Sequence, residues 1–322
     1  MAELVDAVGL KPAAAPAACE FDSHPGHGSS VSSAPLEVGP PATTVTVDGP
    51  YEHPYPSPEL AAAHPFVEYA FERHSDEEMA ERARTFRKES ERRRSVRLFS
   101  PDPVPRELVE EAVLAASTAP SGAHKQPWTF VGTRDPAVKA AIRAAAEEEE
   151  RINYLENRMN DEWLEALAPL GTDHHKEFLE VAPWIVVLFE QRFEQRPDGT
   201  TRKNYYVKES TGIAAGMFIA AIHRMGLATL THTPTPMAFL RRLLGRPDNE
   251  RPFVMFPIGF PLHGARVPDL RRKSLDEVFV EVDPPGRAHS RRWAWECHDR
   301  CREQSIRGCS ARAHGGRAGP GG

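Results

Sequence analysis

Three guanidiniums within five residues, in Arg93-Arg94-Ser95-Val96-Arg97, make this the part of the 322-residue chain best equipped to bind an anion. The run stands where a charged helical pattern gives way to an extended Leu98-Phe99, and arginine's planar fork suits bidentate contact with a phosphate. The same run also suits a plain helix end, whose dipole favours cations. A second basic group, Arg271-Arg272-Lys273, follows the last long strand pattern. Glu150 and Tyr154 are four apart in a helical pattern and project from one face, and Lys176 opens a Lys-Glu-Phe-Leu stretch further on. Signatures that would settle an enzyme class are missing: there is no G-x-G-x-x-G after a strand, no G-x-x-x-x-G-K-[ST], no H-E-x-x-H and no G-x-S-x-G. That disfavours dinucleotide-fold dehydrogenases, P-loop enzymes, zincins and α/β-hydrolases. Cys297, His298, Cys301, Cys309 and His314 match no standard zinc spacing, so no metal is expected.

These side chains need elements to hold them. Ser75 and Glu78 form a capping-box pattern that opens a helix to about Arg92. Pro105 starts another, and a Pro120–Pro127 loop then leads into a short strand at Trp128–Val131. Pro136 opens a long helix through Tyr154, and a further helix is expected over roughly 161–180. Trp184–Phe189 is a continuous apolar run, as in a strand buried on both faces. Residues 204–225 are apolar nearly all round and must be buried, in a core or at a subunit interface. Strands at 227–232 and 253–258 and a helix at 236–244 complete an α+β pattern.

Composition bounds the rest. Of 30 prolines, 11 fall in residues 1–65, and residues 284–322 carry eight arginines and a Gly-rich end, so both flanks lack the makings of a core. The expected organisation is a Pro/Ala-rich disordered segment 1–69, one folded domain 70–282 and a disordered tail 283–322. A net charge of -6 argues against nucleic acid as a partner. No apolar run is long enough to span a membrane, no secretory signal opens the chain, and four cysteines make no disulfide scaffold, so a soluble, cytoplasmic protein is expected.

Taken in order, Arg93–Arg97, Thr118–His124, Pro127–Phe130, Glu147–Tyr154, Thr231-His-Thr-Pro234 and Pro268–Lys273 resemble the nitroreductase-fold flavoproteins, and most of all their iodotyrosine deiodinase branch. The resemblance covers roughly 88–282. It implies a central, mostly antiparallel sheet flanked by helices, in a domain-swapped homodimer with one FMN at each subunit interface. It places Arg93, Arg94, Ser95, Val96 and Arg97 at the FMN phosphate and ring edge, with Ser121, Thr231, His232, Thr233 and Arg272 as further cofactor contacts. It gives Glu150 the ammonium of a halotyrosine substrate, Lys176 its carboxylate and Tyr154 a hydrogen bond to the same zwitterion. Taken alone, any acid of Glu147–Glu150 can equally face water. The Thr233 hydroxyl would bond flavin N5, and the Ala123 N–H would meet the substrate phenolate. The activity implied is FMN-dependent reductive dehalogenation of halogenated tyrosines, fed by an external reductase or NAD(P)H-derived electrons. A general nitro or quinone reductase and a non-catalytic flavin-binding protein are the alternatives. This chain departs from the family's vertebrate-like pattern at His232, which interrupts a threonine run, at Arg151 in place of an acid, and at His174-His175 before Lys176.

Overall fold

The alternation of side chains along one strand organises two cores. In strand β2 (Trp184–Gln191), Trp184, Val186 and Leu188 enter one apolar cluster, while Ile185, Val187 and Phe189 enter another. A sheet that buries both faces needs helices on both. The computed structural model describes residues 55–156 and 158–282 and supplies them. Strands β1 (Trp128–Thr133), β2, β5 (Ala228–Thr229) and β6 (Glu250–Gly259) form one sheet in the order β1-β2-β6-β5, every pair antiparallel. Helices α3 (Arg106–Ser117) and α7 (Val207–Arg224) cover the first cluster. Helices α4 (Pro136–Leu155), α6 (Phe178–Val181) and α8 (Ala238–Leu243) cover the second. Among the described residues the remaining α-helices are α1 (Pro58–Ala63), α2 (Asp76–Glu91) and α5 (Asp161–Leu167), none of which buries a residue. Ser75 caps α2 by accepting the Glu78 N–H at 3.2 Å.

Two expected elements differ. The helix over 161–180 is broken: α5 ends in a tight turn at Ala168–Leu170, Gly171 adopts φ 58, and only Phe178–Val181 is helical again. Within the gap the Asp173 carboxylate accepts the His175 N–H at 2.9 Å, a local bond that competes with helix. Lys176 therefore sits in a loop, not on a helix. The strand over 227–232 shrinks to β5 because the next residue would face Pro257 of β6, which has no N–H to give. The Thr229 hydroxyl satisfies the Pro257 carbonyl instead, at 2.8 Å, and the chain returns only for a single bridge between His232 and Met255.

A hairpin of β3 (Phe193–Gln195) and β4 (Thr201–Lys203) was not foreseen. The chain divides after Pro268, and the described part of the second unit, residues 269–282, holds a short turn at Leu275–Glu277 closed by the Ser274–Glu277 capping box. The cysteine and histidine residues of the tail lie outside the described residues. Among the described residues no helix is long and apolar enough to cross a membrane.

Candidate active site

Leaving α2, the chain runs extended along the sheet edge at β5. Ser95 bridges Thr229 in parallel, the Val96 N–H donates to the Thr229 carbonyl at 3.3 Å, and Val96 enters the second core. Side chains alternate along such a segment, so Ser95 and Arg97 fall on the side opposite Val96. Arg94 donates to the Pro268 carbonyl, and Arg93 is half-buried. A cavity of about 480 Å³ adjoins the segment, with Arg92, Arg93, Arg94, His223 and Arg224 in its wall. Burial holds the Arg97 guanidinium below its ordinary pKa, opposed only by Tyr154.

Helix α4 shows why Glu150 is where it is. Its buried positions are Lys139, Ile142, Ala146, Glu150 and Asn153, a stripe at helical spacing that is apolar in the middle and polar at both ends. Glu150 is 7% exposed and Lys176 is 2% exposed. Burial pushes the Glu150 carboxyl up, with Lys176 pulling it back. Burial likewise pushes the Lys176 ammonium down, against Glu150 and Asp173. The two charges feel one another, yet no ion pair within 4.0 Å joins them among the described residues. Lys176 Nζ instead donates to Thr172 Oγ1 at 3.2 Å and to the Asp173 carbonyl, and lies 5.6 Å from the centroid of the Tyr154 ring. The Tyr154 phenol is raised by burial and by Glu150, and is lowered by its hydrogen bond with Thr172 and by Arg97.

His232 completes the cluster. Its ring meets Phe178 edge-on at 5.6 Å, and its buried Nε2 has no hydrogen-bond partner among the described residues. Burial, then Lys176, then Arg97 depress its pKa to about 3. The imidazole is therefore neutral between two cations. Thr231 and Thr233 on either side of it are exposed.

The Pro120–Pro127 loop is anchored on the other side of the sheet. The Gly122 N–H donates to Ser210 Oγ of α7 at 3.4 Å, and a Cβ on Gly122 would sit 2.8 Å from the Tyr205 carbonyl oxygen. Ser121 Oγ accepts the Gln126 N–H at 2.9 Å. Ala123, His124 and Gln126 all have positive φ, which costs of order 1–3 kcal/mol for each such residue. One chain thus gathers Arg97, Glu150, Tyr154, Lys176 and His232, while Ser121 and Ala123 stand with α7. Arg272 belongs to the second unit.

Comparison with known proteins decides the family. The nitroreductase family pattern matches residues 91–260. The chain is 54% identical to the iodotyrosine deiodinase of Haliscomenobacter hydrossis over 215 residues, 67% of this chain and 96% of that one. It is 41% identical to iodotyrosine deiodinase 1 of Homo sapiens over 217 residues, 67% of this chain and 75% of that one. The chain belongs to the nitroreductase family. Within it, the chain falls in the iodotyrosine deiodinase branch. A crystal structure of oxidized iodotyrosine deiodinase bound to FMN and 3-iodo-L-tyrosine superimposes with a TM-score of 0.54 at 25% identity, covering 62% of this chain and 99% of that one. The α+β nitroreductase fold expected from the six sequence blocks is the fold observed.

Two residues of this nitroreductase-family site were given no role of their own by the sequence. Glu147 Oε1 accepts the Lys176 N–H at 2.7 Å, and Asn153 Nδ2 donates to the Thr235 carbonyl at 2.9 Å. Both continue the face of α4 that carries Glu150, three residues to either side, and that spacing was the available signal.

His232 gives this family member a pH-dependent stability. Its folded pKa lies below the unfolded value of 6.5, so as pH falls from 6.5 the unfolded chain takes up a proton that the native chain refuses. The slope approaches about 1.4 kcal/mol per pH unit well below 6.5, so lowering pH from 6.5 to 5 should remove about 1.6 kcal/mol. A His232→Thr variant should lose that share of the acid sensitivity in thermal melts. Parallel pH dependence of wild type and variant would contradict the assignment.

Proposed function

We propose that the chain is an FMN-dependent reductive dehalogenase of halogenated tyrosines, acting as a domain-swapped homodimer. One observation carries the substrate class: a buried acid and a buried base, each desolvated and electrostatically linked, without direct pairing among the described residues. Burying opposite charges apart is costly unless something bridges them. A free amino acid brings an ammonium for Glu150 and a carboxylate for Lys176, with Tyr154 as a further hydrogen-bond partner. The iodotyrosine deiodinase structure named above holds such a ligand.

The residues present fit FMN. Arg97 is a desolvated guanidinium whose pKa reflects no carboxylate neighbour, Ser95 shares its side, and a phosphate and polar ring edge call for cations and short donors. Arg93, Arg94, Ser95, Val96 and Arg97 would hold the group from the sheet edge. Ser121, Thr231, His232, Thr233 and Arg272 complete the proposed contacts. When bound, FMN supplies the two electrons that, with one proton, replace carbon–halogen by carbon–hydrogen and release halide. The chain's share is to orient the substrate and exclude water. Glu150, Tyr154 and Lys176 fix the amino-acid end, and the Ala123 N–H stabilises the phenolate oxygen. Electrons come from an external reductase or from NAD(P)H through one.

The division of the site within one chain supports the dimer. Along α7, Ile213, Gly216, Met217 and Ala220 form a partly or fully exposed stripe at i, i+3, i+4, i+7 spacing. A second copy covering that stripe would bring its own Ser121–Ala123 loop to the first chain's Arg97 and Lys176. Titrating FMN-loaded protein with 3-iodotyrosine, 2-iodophenol and a nitroaromatic, following flavin fluorescence, tests the reading. Tight binding of the amino acid alone is expected. Equal binding of all three would favour a general nitroreductase.

A further inference from the structure

The separation between Glu150 and Lys176 matters only if it is held, and Lys176 lies in a loop that secondary structure does not fix. One carboxylate ties Lys176 itself to α4. Glu147 Oε1 accepts the Lys176 backbone N–H at 2.7 Å, tying the loop to the helix that carries Glu150 one turn away. The same oxygen receives Arg143 Nε at 2.8 Å, and Arg143 also reaches Glu180 Oε2 at 3.1 Å and Glu177 Oε1 at 3.9 Å. Arg143 thus joins α4 to both ends of the short α6 that follows Lys176. Further along, buried Lys139 donates to the Glu180 and Ala182 carbonyls at 2.8 Å each, closing the C-terminal end of α6. The segment from Lys176 to Ala182 is therefore fastened to α4 at its start and its finish.

We propose that Glu147 is a positioning residue for substrate recognition, setting the distance between the acid and the base that grip the amino-acid end of the substrate. This rests on the reading of Lys176 as the carboxylate partner. Burial raises the Glu147 carboxyl, but the Lys176 N–H, Arg143 and His175 outweigh it and hold its pKa below the ordinary carboxylate value. It therefore stays charged at neutral pH, and charge-assisted bonds of this kind are the strong ones. Arg143 is the partner that keeps it aimed.

The test uses FMN-loaded protein and two ligands, 3-iodotyrosine and 2-iodophenol, which lacks the amino-acid end. Glu147→Ala should weaken 3-iodotyrosine binding by about tenfold or more, leave 2-iodophenol unchanged, and keep flavin content. The loss should appear in KM more than in kcat. Glu147→Gln keeps an acceptor for the Lys176 N–H and should recover most of the affinity. It also serves should the alanine variant fail to fold, because a Gln variant weakened equally toward both ligands would overturn the proposal. Equal loss for both ligands in Glu147→Ala, or full affinity for 3-iodotyrosine, would overturn it as well. If wild type does not distinguish the two ligands, the reading of Lys176 itself fails, which is a separate outcome.

Discussion

Glu150→Gln should raise the dissociation constant for 3-iodotyrosine by roughly 30-fold to 1000-fold while leaving FMN bound. The estimate corresponds to about 2–4 kcal/mol, the cost of truncating one partner of a buried charged pair. The substitution keeps volume and removes only charge. It deprives the substrate ammonium of its partner and leaves the Lys176 ammonium, 2% exposed, with less to oppose its burial. The pH dependence should change with it. In wild type the Glu150 carboxyl is raised above its ordinary 4.5 by burial. As pH falls through that raised value the carboxylate gains a proton, the ammonium loses its partner, and affinity drops. The glutamine variant should lack that acid limb. Unchanged affinity in calorimetric titrations at neutral pH would remove Glu150 from the site.

Ile213→Arg should split the proposed dimer and strip the flavin together. Ile213 is 46% exposed on α7 and belongs to neither core cluster, so the single chain should keep its fold. In an interface with two-fold symmetry the substitution is present twice, and each copy places an unpaired guanidinium among apolar groups. Sedimentation should show the mass halved, and flavin absorbance per chain should fall below about a tenth of wild type, with circular dichroism unchanged. A flavin-loaded monomer would refute a site shared between two chains.

Much of this was open to sequence reasoning where one residue type has one physical use. Continuous apolar character at Trp184–Phe189 required a strand buried twice, and the strand found there feeds both cores. Pro105 and Pro136 marked the starts of α3 and α4. The spacing of Glu150 and Tyr154 placed both on one face of α4. What escaped depended on contacts distant in sequence. The break before Lys176 is written locally in Gly171 and Asp173, but the acids, leucines and alanines around them read as helix. Strand β5 is short because of a proline 28 residues further on. The β3–β4 hairpin carries its turn in Pro197-Asp198-Gly199, yet its flanks are charged and lack the alternation that identifies strands. The meeting of Arg97 with Lys176 and His232 is tertiary, and no spacing rule reaches it.

The central claim is that this chain uses flavin electrons to remove halogen from a tyrosine ring. Protein loaded with FMN and reduced with dithionite in the absence of oxygen should, on mixing with 3-iodotyrosine, release about one iodide and form about one tyrosine per flavin as the flavin reoxidises. A flavin that reoxidises with a nitroaromatic but yields no iodide from 3-iodotyrosine would contradict it.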